Sequence, residues 1–207
     1  MEYLERAGEV GGVSPGASRK NSMIGARRGM TNLADVLARY RPATDAEAAD
    51  LERVRSLLAA GDPFHRSTPL HVTGSALIVH PPSRRVLLRW HHRQGTWLQV
   101  GGHADPGETD PLAVALREGE EETGLRDLVP WPDAAIVHLA IVPVPAAAHE
   151  PAHEHADLRF VLATRTPDAA HPENPTAALR WLTVPEARAL TAELNLHETL
   201  TRMERLL

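Results

Sequence analysis

The stretch Gly101–Leu125, GGHADPGETDPLAVALREGEEETGL, decides the reading of this chain. Its second half predicts a helix from about Pro111 to Thr123. Asp110 is placed to cap it, Pro111 suits the first turn and Gly124 suits the end. On that helix Glu118, Glu121 and Glu122 fall at i, i+3 and i+4. One face therefore carries three carboxylates with Cβ atoms about 5–6 Å apart. Like charges at that spacing repel by a few tenths of a kcal/mol per pair, so a positive partner is called for. A hard divalent cation with oxygen ligands fits, and Mg²⁺ in particular also takes substrate phosphates. A solvated acidic face is the other reading of the same three residues. Gly119 in mid-helix costs about 1 kcal/mol relative to Ala, which marks close packing of the helix on a neighbouring strand.

Working outward, the pattern on either side is that of strands. His71–His80 (HVTGSALIVH) and Arg85–Trp90 (RVLLRW) flank the turn signal Pro81-Pro82-Ser83 and predict a hairpin. Thr96–Val100 is a short strand running into Gly101-Gly102. Ala135–Val144, Asp157–Thr164 and Leu179–Thr183 are three more. Pro185 opens a short helix and Leu194–Leu207 a final amphipathic one. The segments 146–156 and 167–177, rich in Pro, Ala and His, are expected as long loops. Upstream, Thr31–Tyr40 reads as a helix that Pro42 ends. Thr44 or Asp45 caps a second helix to about Ala60, with Leu51, Val54, Leu57 and Leu58 inward. Residues 1–29 have no sustained period and are expected to be a disordered extension, with Met30 as an alternative start. The organisation expected is thus an extension over 1–29, a helical hairpin over 30–63 and a main domain over 64–207. The hairpin packs on the main domain or serves as a homodimer contact.

Composition narrows the function classes. The chain has 207 residues and a formal net charge of −5, which gives no basic surface for a DNA or RNA duplex. With no cysteine there is no disulfide, thiolate nucleophile or Cys-ligated zinc. The absence of long apolar runs argues against a membrane span, and a cytoplasmic location is expected.

Other residues offer chemistry with a plain structural reading beside it. Trp97, near a strand end, is a candidate to stack on a base or to pack in the core. Arg89 and Arg93 flank the end of the hairpin and are candidate phosphate contacts or solvated surface groups. His103 is placed to touch a phosphate or to brace its own loop. His149, His153 and His155 cluster in HEPAHEHADLRF. His153, His155 and Asp157 alternate and so share one side of an extended chain, and a transition-metal site and a pocket rim are both open to them.

The context of the acidic helix resembles the Nudix box, G-x5-E-x7-R-E-U-x-E-E-x-G-U with U a large apolar residue. Gly102, Glu108, Arg117-Glu118, Glu121-Glu122, Gly124 and Leu125 fall in its order. Trp97-Leu98-Gln99 before Gly101-Gly102-His103 is similar to a branch with a GGH signature. Two departures stand out. Eight residues, TDPLAVAL, separate Glu108 from Arg117 where the family has seven, and Gly119 replaces an apolar residue. The resemblance covers roughly 71–190 and implies an α/β/α sandwich with a mixed sheet, to which the N-terminal helical hairpin is added. It implies a hydrolase that cleaves the diphosphate linkage of a nucleoside diphosphate derivative, such as a nucleoside triphosphate or ADP-ribose. Mg²⁺, with Mn²⁺ as substitute, would be held by Glu118, Glu121, Glu122 and the Gly101 carbonyl. Arg117, adjacent to Glu118 and i, i+4 to Glu121, would orient these carboxylates. Glu173, from the loop before a late strand, would be a further metal ligand or the general base, with a solvated loop glutamate as its plain reading; Glu121 or Glu122 acting through a metal-bound water is the competing base. The alternatives are a non-catalytic nucleotide-sensing domain, and isomerase chemistry on isopentenyl diphosphate, which is expected to need a cysteine that this chain lacks.

Overall fold

The computed structural model describes residues 32–147 and 150–207. The expected extension over 1–29, Met30 and His149 lie outside these residues.

The sheet is built on two long central strands. Strand β1 (Leu70–His80) turns through Pro81–Ser83 into β2 (Arg85–His91), its antiparallel partner, as the turn signal predicts. β3 (Thr96–Leu98) pairs with β2, and β4 (Val100–His103) returns to β1 with Gly102 opposite Gly74. The helix α3 (Pro111–Thr123) follows, capped at one end by the Asp110 side chain and at the other by Gly124 at φ 69°. Then come β5 (Val129–Pro130), β6 (His138–Val144) and β7 (His153–Ala163), which runs parallel to β1 along ten paired positions. β8 (Leu179–Leu182) pairs with β2. The result is a mixed sheet with β7-β1-β2 at its centre. The sequence reading starts β7 at Asp157; the strand begins at His153, so the histidine-rich segment is sheet rather than loop.

Because side chains alternate along β1, the sheet has two apolar faces. Val72, Ala76 and Ile78 join one core with α3; Leu77 and Val79 join the other. Helices α4 (Val184–Leu190) and α5 (Leu194–Glu204) cover the second face. The hairpin α1 (Leu33–Arg39) and α2 (Asp45–Ala60), capped by Thr44, completes the first. This is an α/β/α sandwich with an added helical pair.

The hairpin also caps a sheet edge. Tyr40 Oη accepts the Leu139 N–H at 3.0 Å, and Asp50 accepts that of Ile141 at 3.0 Å. These two donors on β6 would otherwise present an open edge. Buried Glu47 ties the hairpin to α5 through Arg202 and to Tyr40 Oη at 2.9 Å.

Candidate active site

The acidic helix sits where its glycines allow it. At Gly119 an added Cβ would meet Leu128 Cδ1 at 2.9 Å, so the missing apolar side chain is what lets α3 lie close on the strand layer. Gly102 is overlaid by the Glu118 carboxylate, which a Cβ there would strike. Glu118 and Glu122 are thereby drawn beneath the β4 strand, while Glu121 stays half exposed.

Arg117 organises the near side. Its Nη1 donates to Glu118 Oε1 at 2.9 Å and to Glu121 Oε2 at 3.1 Å. Its Nε and Nη2 grip Glu108 at 3.1 Å and 3.0 Å, and Nη2 also donates to the His103 carbonyl at 2.8 Å. The extra residue before the helix does not displace Glu108 from this guanidinium. The slack is taken up in the loop, where Glu108 Oε2 accepts the Asp105 N–H at 2.7 Å. Burial works upward on Glu108, but Arg117 and that N–H hold its pKa below the usual carboxylate range.

Arg89 organises the far side. Its Nη1 lies 3.0 Å from Glu122 Oε1 and its Nη2 lies 3.9 Å from Glu173 Oε2. Glu122 Oε2 also accepts the Gly101 N–H at 3.3 Å. The loop bearing Glu173 leans on the end of α3, where His171 N donates to Thr123 O at 2.8 Å. Burial raises the Glu122 pKa to about 7 against Arg89, with Glu118 adding to the rise. Burial also raises Glu118, against Arg117.

Taken together, Glu108, Glu118, Glu121, Glu122 and Glu173 outnumber Arg89 and Arg117, leaving an excess of negative charge. The donors are all oxygens, and two carboxylates are desolvated without full neutralisation. This is the chemistry a hard divalent cation satisfies, so the residues fit Mg²⁺.

The remaining candidates fall elsewhere. Trp97 is 9% exposed, packed edge-on to Trp90 at 5.7 Å and covered by Arg180 at 4.8 Å. It belongs to the second core, the packing role that the sequence left open beside base stacking. Arg93 pairs with Glu150 at 2.8 Å rather than with the glutamates that Arg89 meets. His103 lies on the opposite side of the sheet, beside His71, His153 and His155. The structure thus does not bring its ring together with the carboxylates of α3. Asp157, paired by alternation with His153 and His155, is taken by Arg159 Nε at 2.7 Å and Ser75 Oγ at 2.6 Å. His71, which closes that group, was not singled out from sequence. Only the long β1–β7 pairing, with His71 opposite His155, brings it there.

The fold defines a class: a Nudix-type α/β/α sandwich of the pyrophosphate-cleaving hydrolases. The family model described as "NUDIX domain" matches residues 69–203, and the chain belongs to that family. No curated protein matches. Among solved structures, a Caenorhabditis elegans Ap4A hydrolase in a binary complex aligns with TM-score 0.52 at 16% identity, over 65% of this chain and 95% of that one. The Escherichia coli dihydroneopterin triphosphate pyrophosphohydrolase aligns with TM-score 0.50 at 21% identity, over 65% and 94%. The NUDIX domain of Shewanella oneidensis NrtR, complexed with ADP ribose, gives 0.50 at 18%, over 74% and 98%. At these identities the likeness is one of fold. Among the described residues no helix is long and apolar enough to cross a membrane.

Proposed function

We propose that this chain hydrolyses the diphosphate linkage of a nucleoside diphosphate derivative, with Mg²⁺ held by Glu118, Glu121, Glu122 and the carbonyl of Gly101. The observation that carries this reading is the gathering of the three helix carboxylates beside β4: Arg117 binds Glu118 and Glu121, Arg89 binds Glu122, and Glu122 accepts the Gly101 N–H. Mn²⁺ is expected to substitute. The bound ion supplies positive charge for the phosphate oxygens and acidifies the attacking water.

The protein's own residues set the stage. Arg117 fixes the rotamers of Glu118 and Glu121, so their oxygens need no reorganisation when an ion arrives. Arg89 is the cation left over for substrate. It bonds Glu122 at 3.0 Å, and with that carboxylate holding an ion its guanidinium would be available to a phosphate oxygen. Hydrolysis breaks one P–O bond, adds the water oxygen to that phosphorus and releases the other phosphate with its electron pair. The water's proton goes to a carboxylate at the rim. Glu173 is the acceptor this reading assigns, supported by its exposed side chain 3.9 Å from Arg89; Glu121 and Glu122 are the competing acceptors.

A panel of nucleoside triphosphates (normal and oxidised), ADP-ribose, dinucleoside polyphosphates and nucleotide sugars, assayed with Mg²⁺, tests the reading. The parent should turn over at least one class, and Glu121→Gln should be slower by roughly a hundredfold or more. No turnover of any of them, or an equally fast variant, would sink the proposal.

A further inference from the structure

On the sheet face turned away from the carboxylate helix, four histidines meet: His71 of β1, His103 of β4, and His153 and His155 of β7. Each offers one ring nitrogen, and these four atoms all lie within 4.8 Å of one another. His155 Nε2 lies 3.1 Å from His103 Nε2 and 3.1 Å from His153 Nε2. Four-coordinate zinc with Zn–N bonds near 2.0–2.1 Å sets adjacent nitrogens about 3.3 Å apart. The observed spacings are of that order.

Proton bookkeeping gives a second, independent reason. His71 is 2% exposed, and its Nδ1 donates to the Thr68 carbonyl at 3.1 Å. That bond leaves Nε2 as the lone-pair nitrogen, and Nε2 is buried with no hydrogen-bond partner. His153 is fixed in the same way: its Nδ1 donates to the Pro151 carbonyl at 3.0 Å, so its Nε2 is an acceptor. His155 therefore faces acceptor Nε2 of His153 on one side and His103 on the other. A single Nε2–H on His155 can point along only one of these contacts. No neutral arrangement of hydrogens satisfies all four rings, whereas a central cation satisfies every lone pair. Carbonyl bonds that fix the outer nitrogen are also how metal-bound imidazoles are oriented.

We propose that His71, His103, His153 and His155 bind a borderline-soft divalent transition-metal ion of the zinc class through their Nε2 atoms, at a site separate from the carboxylate helix. Imidazole nitrogens select such ions over Mg²⁺. The ion joins the ends of three strands, β1, β4 and β7, where the apolar core gives out. Glu150 stands at the rim with Oε1 3.7 Å from His153 Nε2 and adds negative charge to an otherwise neutral ligand set. The site also braces the strand entering the acidic loop, because the His103 carbonyl is held by Arg117.

The test uses the untagged full chain, stripped with a chelator and dialysed against Zn²⁺ or Co²⁺ in a large excess of Mg²⁺. Metal content is then measured by emission spectroscopy, alongside Co²⁺ visible absorption and the thermal midpoint. The parent should retain a single transition-metal ion per chain, show nitrogen-ligand Co²⁺ bands and melt higher with Zn²⁺. Glu121→Gln, altered only on the other face, should do the same. His155→Ala and the milder His103→Gln should both lose the retained ion and the Zn²⁺-dependent rise in melting temperature. Circular dichroism checks that they fold; if His155→Ala does not, His103→Gln decides. The proposal is overturned if the parent retains no Zn²⁺ under excess Mg²⁺, if His103→Gln retains as much as the parent, or if Glu121→Gln loses the ion. Hydrolysis is not a readout, so failure here leaves the proposed activity standing, and the reverse holds too.

Discussion

The strand Val100–His103 serves two faces of one sheet, and they differ in donor chemistry. Toward α3, the Gly101 peptide and the space over Gly102 are filled by carboxylates gripped by arginines. Toward the other side, His103 joins three further imidazoles, with arginine pairing at the rim through Glu150 and Arg93 and deeper through Asp157 and Arg159. The oxygen face is overcharged and partly open; on the nitrogen face the neighbouring charges are balanced in pairs, Asp157 with Arg159 and Glu150 with Arg93, and His71 is fully enclosed. Hard ions go to the first and borderline ions to the second. On the two proposals above, one short strand would sort two metal chemistries, its glycines against the carboxylates and His103 on the opposite side.

The largest expected effect falls on the oxygen face. Glu122 is buried, faces Arg89 and touches the Gly101 N–H. Glu122→Gln keeps the shape and removes the charge, so kcat/KM should fall by roughly 10²–10⁴-fold. Steady-state kinetics with Mg²⁺ on the substrate found in the panel measures this. If the loss were no greater than that in His153→Ala, the division of labour between the two faces would be wrong.

Arg117 comes next, since it holds Glu108, Glu118 and Glu121 at once. Lys cannot reproduce a forked, multi-point grip. Arg117→Lys should cost about ten- to a hundredfold in activity or Mg²⁺ affinity. A Mg²⁺ titration of the rate separates a positioning role, which shifts the metal dependence, from direct contact with substrate, which shifts KM. If the variant matches the parent in both, Arg117 is only a surface bridge.

What was legible in the sequence follows the range of the interactions. Glu118, Glu121 and Glu122 could be read because helical spacing is local, and Asp110 and Gly124 marked the ends of that helix. The Gly119 packing site was legible for the same reason. The histidine site was half visible: alternation put His153 and His155 on one side, but His71 arrives only through non-local parallel pairing. Asp157 shares the alternation yet lies one step deeper, where Arg159 claims it. His and Glu are not strand-forming residues by composition, so the start of β7 was hidden as well. Trp97 and Arg93 show what periodicity leaves undecided. A strand-end tryptophan can face either layer, and the chain turns after His91, so Arg93 does not continue the side that Arg89 occupies.

A smaller effect tests the packing that brings α3 to the sheet. At Gly119 a side chain would press on Leu128, Leu162 and Ile78. Gly119→Val should destabilise the fold by about 1–3 kcal/mol through overpacking, read from the midpoint of a denaturant melt. A gain in stability would mean that the glycine is merely a poor helix former and that α3 has room to spare.

The smallest effect concerns pH and lies away from both faces' ligands. His138, 4% exposed, bonds Thr199 Oγ1 at 2.9 Å. Burial lowers its pKa to about 4, with Arg159 and Arg202 pushing down and Glu47 and Asp157 opposing. The unfolded chain binds this proton near pH 6.5 and the folded chain only near 4, so folding excludes it in between. The sign follows: stability is full above about pH 6.5 and falls with acid, by about 1.4 kcal/mol at pH 5.5 from this group alone. Glu47 adds to the trend. Burial works upward on it, but the Ala43 N–H, Tyr40 and Arg202 hold its pKa low, so its contribution is lost only at more acid pH, below the usual carboxylate range. His138→Gln should therefore be less stable than the parent at pH 8 yet lose less between pH 7 and pH 5.5. Urea melts at the two pH values, with the stripped chain so that no metal is linked to the titration, measure the difference. Parallel losses in parent and variant would show that the acid sensitivity arises elsewhere, leaving the histidine face as the next place to look.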